Sequence, residues 1–287
     1  MTSVVPVGQQ GESADQPVAS PSPTRAPSHK YPSIWRQLPN RVATFCLVEV
    51  QRIRHDRTEL LTRAIQPALW LLIYGETFNG LHAIPTGNVP YLAFLTPGIV
   101  AQSGMFIAIF YGIQIIWERD AGLLTKLLVT PTPRSALILG KSFAAGIRAM
   151  SQMVVVLILA AIIGVSLTDN PLDIIGAFVV VMLGGAFFSC LSMTVAGAVL
   201  KRDRLMGIGQ MITMPLFFAS NALYPVKVMP GWLQVISKVN PLSYEVDALR
   251  RLLIGTPGAL GVDFAVLIGA VIIGVTTASS LVGRLAR

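Results

Sequence analysis

The chain has 287 residues, of which 53% are hydrophobic and 13% charged. Soluble domains carry roughly 25% charged residues, so this composition, with a mean hydropathy of +0.65, excludes an ordinary water-soluble enzyme and makes lipid the main solvent. The formal net charge is +8, yet no basic stretch carries the interleaved aromatics that stack on nucleic acid; the excess Lys and Arg instead read as anchors of cytoplasmic loops.

Residues 1–39 read as a disordered cytoplasmic tail. Pro6, Pro17, Pro21, Pro23, Pro27 and Pro32 stand among serines and the acids Glu12 and Asp15. Such a segment buries too little apolar area to offset its ordering entropy, and it lacks the basic start and apolar core of a signal peptide. Residues 40–287 form the membrane domain. It opens with Asn40–Arg57, where Ala43, Cys46, Leu47, Val50 and Ile53 share one helical face opposite Arg41, Gln51, Arg52, His55 and Asp56. This pattern predicts a helix in the membrane plane; a cytoplasmic extension of the first span is the alternative.

A spanning helix needs about 20 mainly apolar residues. Six stretches qualify, at residues 60–78, 91–116, 136–165, 174–200, 205–224 and 264–282. Arg63 and Glu76 weaken the first, and Pro97–Gly98 predicts a kink in the second. Lys and Arg crowd the segment before span 1, the 2–3 and 4–5 links and the C-terminus, whereas the links 79–90 and 166–173 have none. That asymmetry predicts cytoplasmic termini. The link 225–263 is the exception, with Lys227, Lys238, Arg250 and Arg251 partly balanced by Glu245, Asp247 and Asp263. Pro230 opens a predicted short helix Gly231–Val239, and Asn240–Pro241 ends it. Ser243 is a candidate N-cap for a second helix, Tyr244–Leu253, with Asp247 four residues before Arg251 as a pair. Both are expected to dip into the outer leaflet under cover of protein or water. The expected fold is therefore an all-α membrane protein of six spans, an N-terminal interfacial helix and two short outer-leaflet helices between spans 5 and 6.

Few motifs carry chemistry. Cys46 and Cys190 show no metal spacing and need no disulfide. Gly140–Lys141–Ser142 is similar to the end of a phosphate loop, but Ser135 stands where the consensus needs its first glycine, so the chain has no fuel site of its own. Gln102–Ser103–Gly104 is similar to a nucleophile turn, with no His in a span to serve as base. The stretch Trp117–Lys141 is the most informative. A charged turn is followed by Leu123, Leu124, Leu127 and Leu128 along one side, then Pro131 and Pro133. It suits the docking of a soluble partner; a solvated turn is the alternative.

Here the sequence resembles a known family. Glu118–Arg119–Asp120–Ala121–Gly122 through Leu127, Thr130–Pro131, Arg134 and Gly140–Lys141 resembles the cytoplasmic link of ABC-2 type permeases. A second match runs through Pro215–Phe218, Asn221, Tyr224–Pro225, Met229–Pro230, Trp232–Leu233 and Asn240–Pro241–Leu242, with Tyr244, Asp247 and Arg250. Asn221 departs from the family's frequent glycine. The resemblance covers roughly residues 40–285, and the daunorubicin-resistance-type branch is the most similar one. It implies a permease subunit in a bacterial plasma membrane that exports a drug, lipid or glycolipid. It implies two copies of an ABC ATP-binding subunit, which hold ATP and magnesium, and a second permease subunit. Glu118, Arg119, Asp120, Gly122 and Lys126 would then couple to the ATPase, and Pro225, Trp232, Asn240, Pro241 and Tyr244 would form an outer gate.

Interior side chains leave the pathway open. Arg148 lies about 10 Å beyond Lys141 along span 3 at 1.5 Å per residue; it can meet a substrate, pair with a neighbouring helix or snorkel. Glu76 can attract a cation or sit solvated. Phe106 and Phe110 can line a greasy path or simply pack. An ion-coupled transporter would need buried acids near the midplane, and spans 2 to 6 carry none. A non-catalytic assembly protein is the remaining alternative.

Overall fold

The computed structural model describes residues 34–55, 57–81, 89–122 and 134–285, and all regular structure among them is helical. In chain order these are α1 (Ile34–His55), α2 (Arg57–Leu69), a π-helical turn Trp70–Gly75, α3 (Glu76–Leu81), α4 (Tyr91–Ile113), α5 (Ile115–Asp120), α6 (Arg134–Ile162), α7 (Pro171–Val199), α8 (Arg202–Phe218), α9 (Gly231–Val239), α10 (Pro241–Ile254) and α11 (Leu260–Leu285). Most of the expected tail lies outside the described residues, but α1 begins at Ile34, inside that stretch, and runs through Pro39.

Among the described residues, four helices are long and apolar enough to cross a membrane: Tyr91–Asp120, Arg134–Ile162, Pro171–Val199 and Leu260–Arg284. They correspond to the second, third, fourth and sixth expected spans. The first expected span is divided among α2, the π turn and α3. The fifth is helical only to Phe218. There the chain turns: Ser220 Oγ donates to the Phe217 carbonyl and accepts from the Ala222 amide.

Helix α7 lies at the centre, packed against α4, α6 and α11. Small residues permit close approach, as expected where lipid supplies no hydrophobic drive between helices. A Cβ at Gly112 of α4 would sit 2.6 Å from the Ser189 carbonyl of α7. Gly185 of α7 faces Gly146 of α6 backbone to backbone. The apolar window of α4 is 89% buried and that of α11 only 28%. So α4 is an interior helix, and α11 turns most of its surface outward.

Helix α10 departs most from the sequence expectation. Its N-cap is Asn240 and not Ser243: Asn240 Oδ1 accepts from the Leu242 amide at 3.0 Å, and Pro241 takes the first helical position, where a missing amide costs nothing. Ser243 instead bonds Ser237 of α9. Gly184 of α7 faces Glu245, and Gly176 faces Leu252. Hence α10 runs antiparallel to α7, from mid-length at its start to the Pro171 end at Ile254. The expected Asp247–Arg251 pair does not form. Asn221 takes Asp247 at 2.7 Å, and Asp263 of α11 takes Arg251.

Candidate functional site

One end of the bundle gathers the charged turn after α5. Lys141 Nζ of α6 donates to Glu118 Oε1 at 2.6 Å. Arg119 pairs with Asp120 at 2.9 Å and donates through Nη1 to the Leu200 carbonyl at 3.2 Å. Leu200 ends α7 in the left-handed conformation, φ 58°, which turns the chain towards Arg202. The Arg202 guanidinium stacks 5.4 Å from the Trp117 ring. Gly122 closes the turn at φ +69°, a value suited to glycine. Thus Glu118, Arg119, Asp120 and Gly122 are brought together and tied to α6 and to the α7–α8 link. Lys126, the leucine run and the two prolines lie outside the described residues.

The network continues inward. Lys141 sits 5.8 Å from the Tyr111 ring centroid and Arg148 sits 5.2 Å from it. The Tyr111 hydroxyl donates to Glu49 Oε2 at 3.0 Å. Arg148 meets Glu49 Oε1 through Nη2 at 2.5 Å and through Nε at 2.6 Å. Both partners are buried. Of the three options the sequence leaves for Arg148, the structure shows the helix-to-helix pair.

Glu49 is the residue that the sequence reading missed. It lies on α1, where Leu47 and Val50 of the apolar stripe are exposed and Phe45 packs on Gly140 of α6. The Leu47–Val50 side of the stripe therefore faces away from the bundle, Cys46 and Ile53 are half-buried, and the Phe45–Glu49 edge faces the bundle. The signal was available: Glu49 falls three residues after Cys46 and four before Ile53, an acid beside an apolar arc.

At the opposite end, residues 219–224 leave helical geometry inside the fold, so their carbonyls need partners. Arg250 of α10 supplies them. Its Nη2 donates to the carbonyls of Asn221 at 2.7 Å and Ala222 at 3.2 Å, and its Nε to that of Phe94 at 3.3 Å. The Phe94 ring lies 3.6 Å from the guanidinium. Tyr91 donates to the Leu223 carbonyl. Among the expected gate residues, Asn240, Pro241 and Tyr244 meet at the α9–α10 corner. Asn240 Nδ2 donates to the Leu216 carbonyl, and Tyr244 to that of Lys238. Pro225 caps a separate turn, and Trp232 is 67% exposed on α9.

The residues expected to line a pathway do not share one site. Phe106 and Phe110 line an open cleft of about 270 Å³ with Arg63, Gln66, Ser103 and Gln152. The Gln152 amide nitrogen donates to the Arg63 carbonyl, and its Oε1 is buried with no bond. Arg148 lies outside this cleft. Glu76 lines a different one of about 650 Å³ at the end of the bundle opposite the α5 turn, beside Leu92, Leu167 and Leu253. Ser103 donates to the Ile99 carbonyl within α4, as an ordinary helical serine does, and Gly140–Lys141–Ser142 is continuous helix.

With this geometry in view, the comparisons with known proteins decide the family. The profile of the ABC-2 type transporter family matches residues 42–254. The chain belongs to that family. Similar relatives include the daunorubicin resistance ABC transporter permease protein DrrB1 of Streptomyces coeruleorubidus, 24% identical over 77% of this chain and 78% of the relative. A putative transport permease ycf38 of Porphyra purpurea is 30% identical over 67% of this chain and 66% of that protein. Nodulation protein J of Rhizobium leguminosarum bv. trifolii is 28% identical over 69% and 75%. Membership makes this chain a membrane-spanning transport subunit of the ABC class, in which ATPase activity lies on a separate subunit.

Proposed function

We propose that the chain is the permease subunit of an exporter that moves a lipophilic or amphipathic molecule, such as a drug, lipid or glycolipid, out of the cytoplasm or inner leaflet. Two ATP-binding subunits holding ATP and magnesium dock beneath the α5 turn and α1. A second permease subunit completes the pathway, with six spans from each. Both termini lie in the cytoplasm of a bacterial cell.

The observation that carries this reading is the continuous polar chain from Glu118 through Lys141, Tyr111 and Arg148 to Glu49. It joins the charged end of the Tyr91–Asp120 helix to α1, which lies outside the four apolar helices, through a buried seam. A push on either element is then felt in α4 and α6 together, because packed polar seams have discrete arrangements and do not deform continuously. The cleft at Phe106, Phe110 and Gln152 offers apolar walls with a few polar groups, which suits an amphipathic guest.

Co-expression with the genomic neighbours, purification, and transport into inverted vesicles test the reading. An ATP-binding protein is expected to co-purify and to drive ATP-dependent uptake of an amphipathic dye. Absence of both outcomes overturns it.

A further inference from the structure

Glu245 is a buried acidic residue with no role in the network or the turn described above. It lies on the face of α10 that also carries Leu242 and Leu249, and it is 1% exposed. Both carboxyl oxygens are buried without a hydrogen-bond partner. The carboxyl rests against Gly184, where any Cβ would collide with it. Gly184 lies midway along α7 (Pro171–Val199), about 20 Å from either end at 1.5 Å per residue. The acid therefore sits level with the middle of α7, inside protein.

Among the described residues, no charge compensates it there. The elements packed against α10 are α4, α7 and α11, and their titratable side chains are engaged elsewhere or stand at the ends. On α4, Tyr91 serves Leu223 and Tyr111 serves Glu49. On α7, Asp173 faces Thr168 at the Pro171 end and Cys190 bonds Ser142. On α11, Asp263 holds Arg251, and Arg284 stands in the last turn. The 219–224 turn brings Tyr224, which bonds the Phe218 carbonyl. On α10 itself, Tyr244 bonds Lys238, Asp247 bonds Asn221, and Arg250 bonds main-chain carbonyls. An ionised carboxylate without a partner in such a place is very costly, so the group neutralises by taking up a proton.

We propose that Glu245 is a proton-binding site: it carries a proton while α10 is docked on α7 and releases it to water when α10 separates from Gly184. Docking and protonation are then one linked equilibrium. The O–H bond of the acid breaks on opening, the proton goes to entering water, and the carboxylate is hydrated. Closing reverses each step. No oxidant, metal or second reactant is required. The proposal stands apart from the ATPase reading, because neither measurement below needs ATP or a partner.

The sign of the linkage is fixed. The docked state holds the proton more tightly than the open state, so rising pH favours opening between the open-state and docked-state pKa values. The opening constant grows about tenfold per pH unit in that window. The test uses the purified full chain in lipid nanodiscs. Infrared spectra with isotope-labelled glutamate are expected to show a protonated-carboxyl band at neutral pH that is lost in Glu245→Gln. Hydrogen exchange across α10, corrected for intrinsic rates, is expected to speed up with pH in the wild type and not in Glu245→Gln. Equal pH dependence in both proteins, or an unchanged band in the variant, overturns the proposal. Should Glu245→Gln fail to accumulate, the wild-type spectrum decides, since absence of a protonated glutamate band at neutral pH also overturns it. Gly184→Ala, which pushes the carboxyl aside, is expected to move that band's titration into the ordinary carboxylate range.

Discussion

The Glu49 carboxylate on α1 lies 2.5 Å from Nη2 of Arg148 on α6. One buried ion pair thus fastens a helix outside the four apolar spans to the middle of a span. Breaking a buried pair by removing one partner costs about 3–5 kcal/mol. Glu49→Gln is expected to lower the thermal midpoint of the detergent-solubilised protein by that measure, and Glu49→Gln with Arg148→Met to recover most of the loss. Additive losses in the double variant would show the two residues to be uncoupled.

The turn after α5 makes a separate prediction. Gly122 holds φ +69°, and a Cβ there costs about 1 kcal/mol. Glu118→Gln removes the charge that meets Lys141. Both Gly122→Ala and Glu118→Gln are expected to reduce ATP-driven dye uptake severalfold while the ATP-binding subunit still co-purifies. Full transport in both would remove this turn from the coupling path.

Arg250→Lys is expected to behave as a severe substitution. A lysine cannot span three carbonyls in a fixed fork or stack on Phe94. Each buried carbonyl left without a partner costs roughly 1–3 kcal/mol. Limited proteolysis is expected to cut the variant within residues 219–224 at protease levels that leave the wild type intact.

Asn240 is expected to show a two-part phenotype. Asn240→Ala removes the N-cap and costs about 1 kcal/mol, and it also frees the Leu216 carbonyl. Asn240→Asp keeps the cap acceptor and loses the donor. Hydrogen exchange in the first turn of α10 is expected to rise strongly in the alanine variant and less in the aspartate variant.

The elements most legible in the sequence were those ruled by continuous patterns. The fourth and sixth expected spans match α7 and α11 because an uninterrupted apolar run leaves one structural answer. Helix α9 was legible at both ends because Pro230 and Asn240–Pro241 act locally. The first and fifth expected spans were less so. In the fifth, apolar content hid a turn at Ala219 whose stability comes from Arg250, a residue distant in sequence. Charge bookkeeping misled in the same way. Glu49 was overlooked beside an apolar stripe, and Glu245 was counted with loop charges although Leu242 and Leu249 mark its face as inward. The Asp247–Arg251 spacing is sound for an isolated helix. It gave way because Asn221 and Asp263 offered better-placed partners.

The grip of Arg250 has a genetic consequence. Its hydrogen bonds go to main-chain oxygens at Phe94, Asn221 and Ala222, and of their side chains the Phe94 ring packs on the guanidinium. Substitutions at those three positions leave the acceptor atoms in place. Revertants selected from an Arg250 variant are therefore expected at codon 250 itself, or at positions that reroute the turn, such as Gly98, whose α-carbon faces the Ala222 carbonyl. Asn221 and Ala222, gripped only through their carbonyls, are expected to show little covariation with Arg250, whereas Phe94, whose ring stacks on the guanidinium, is expected to covary with it.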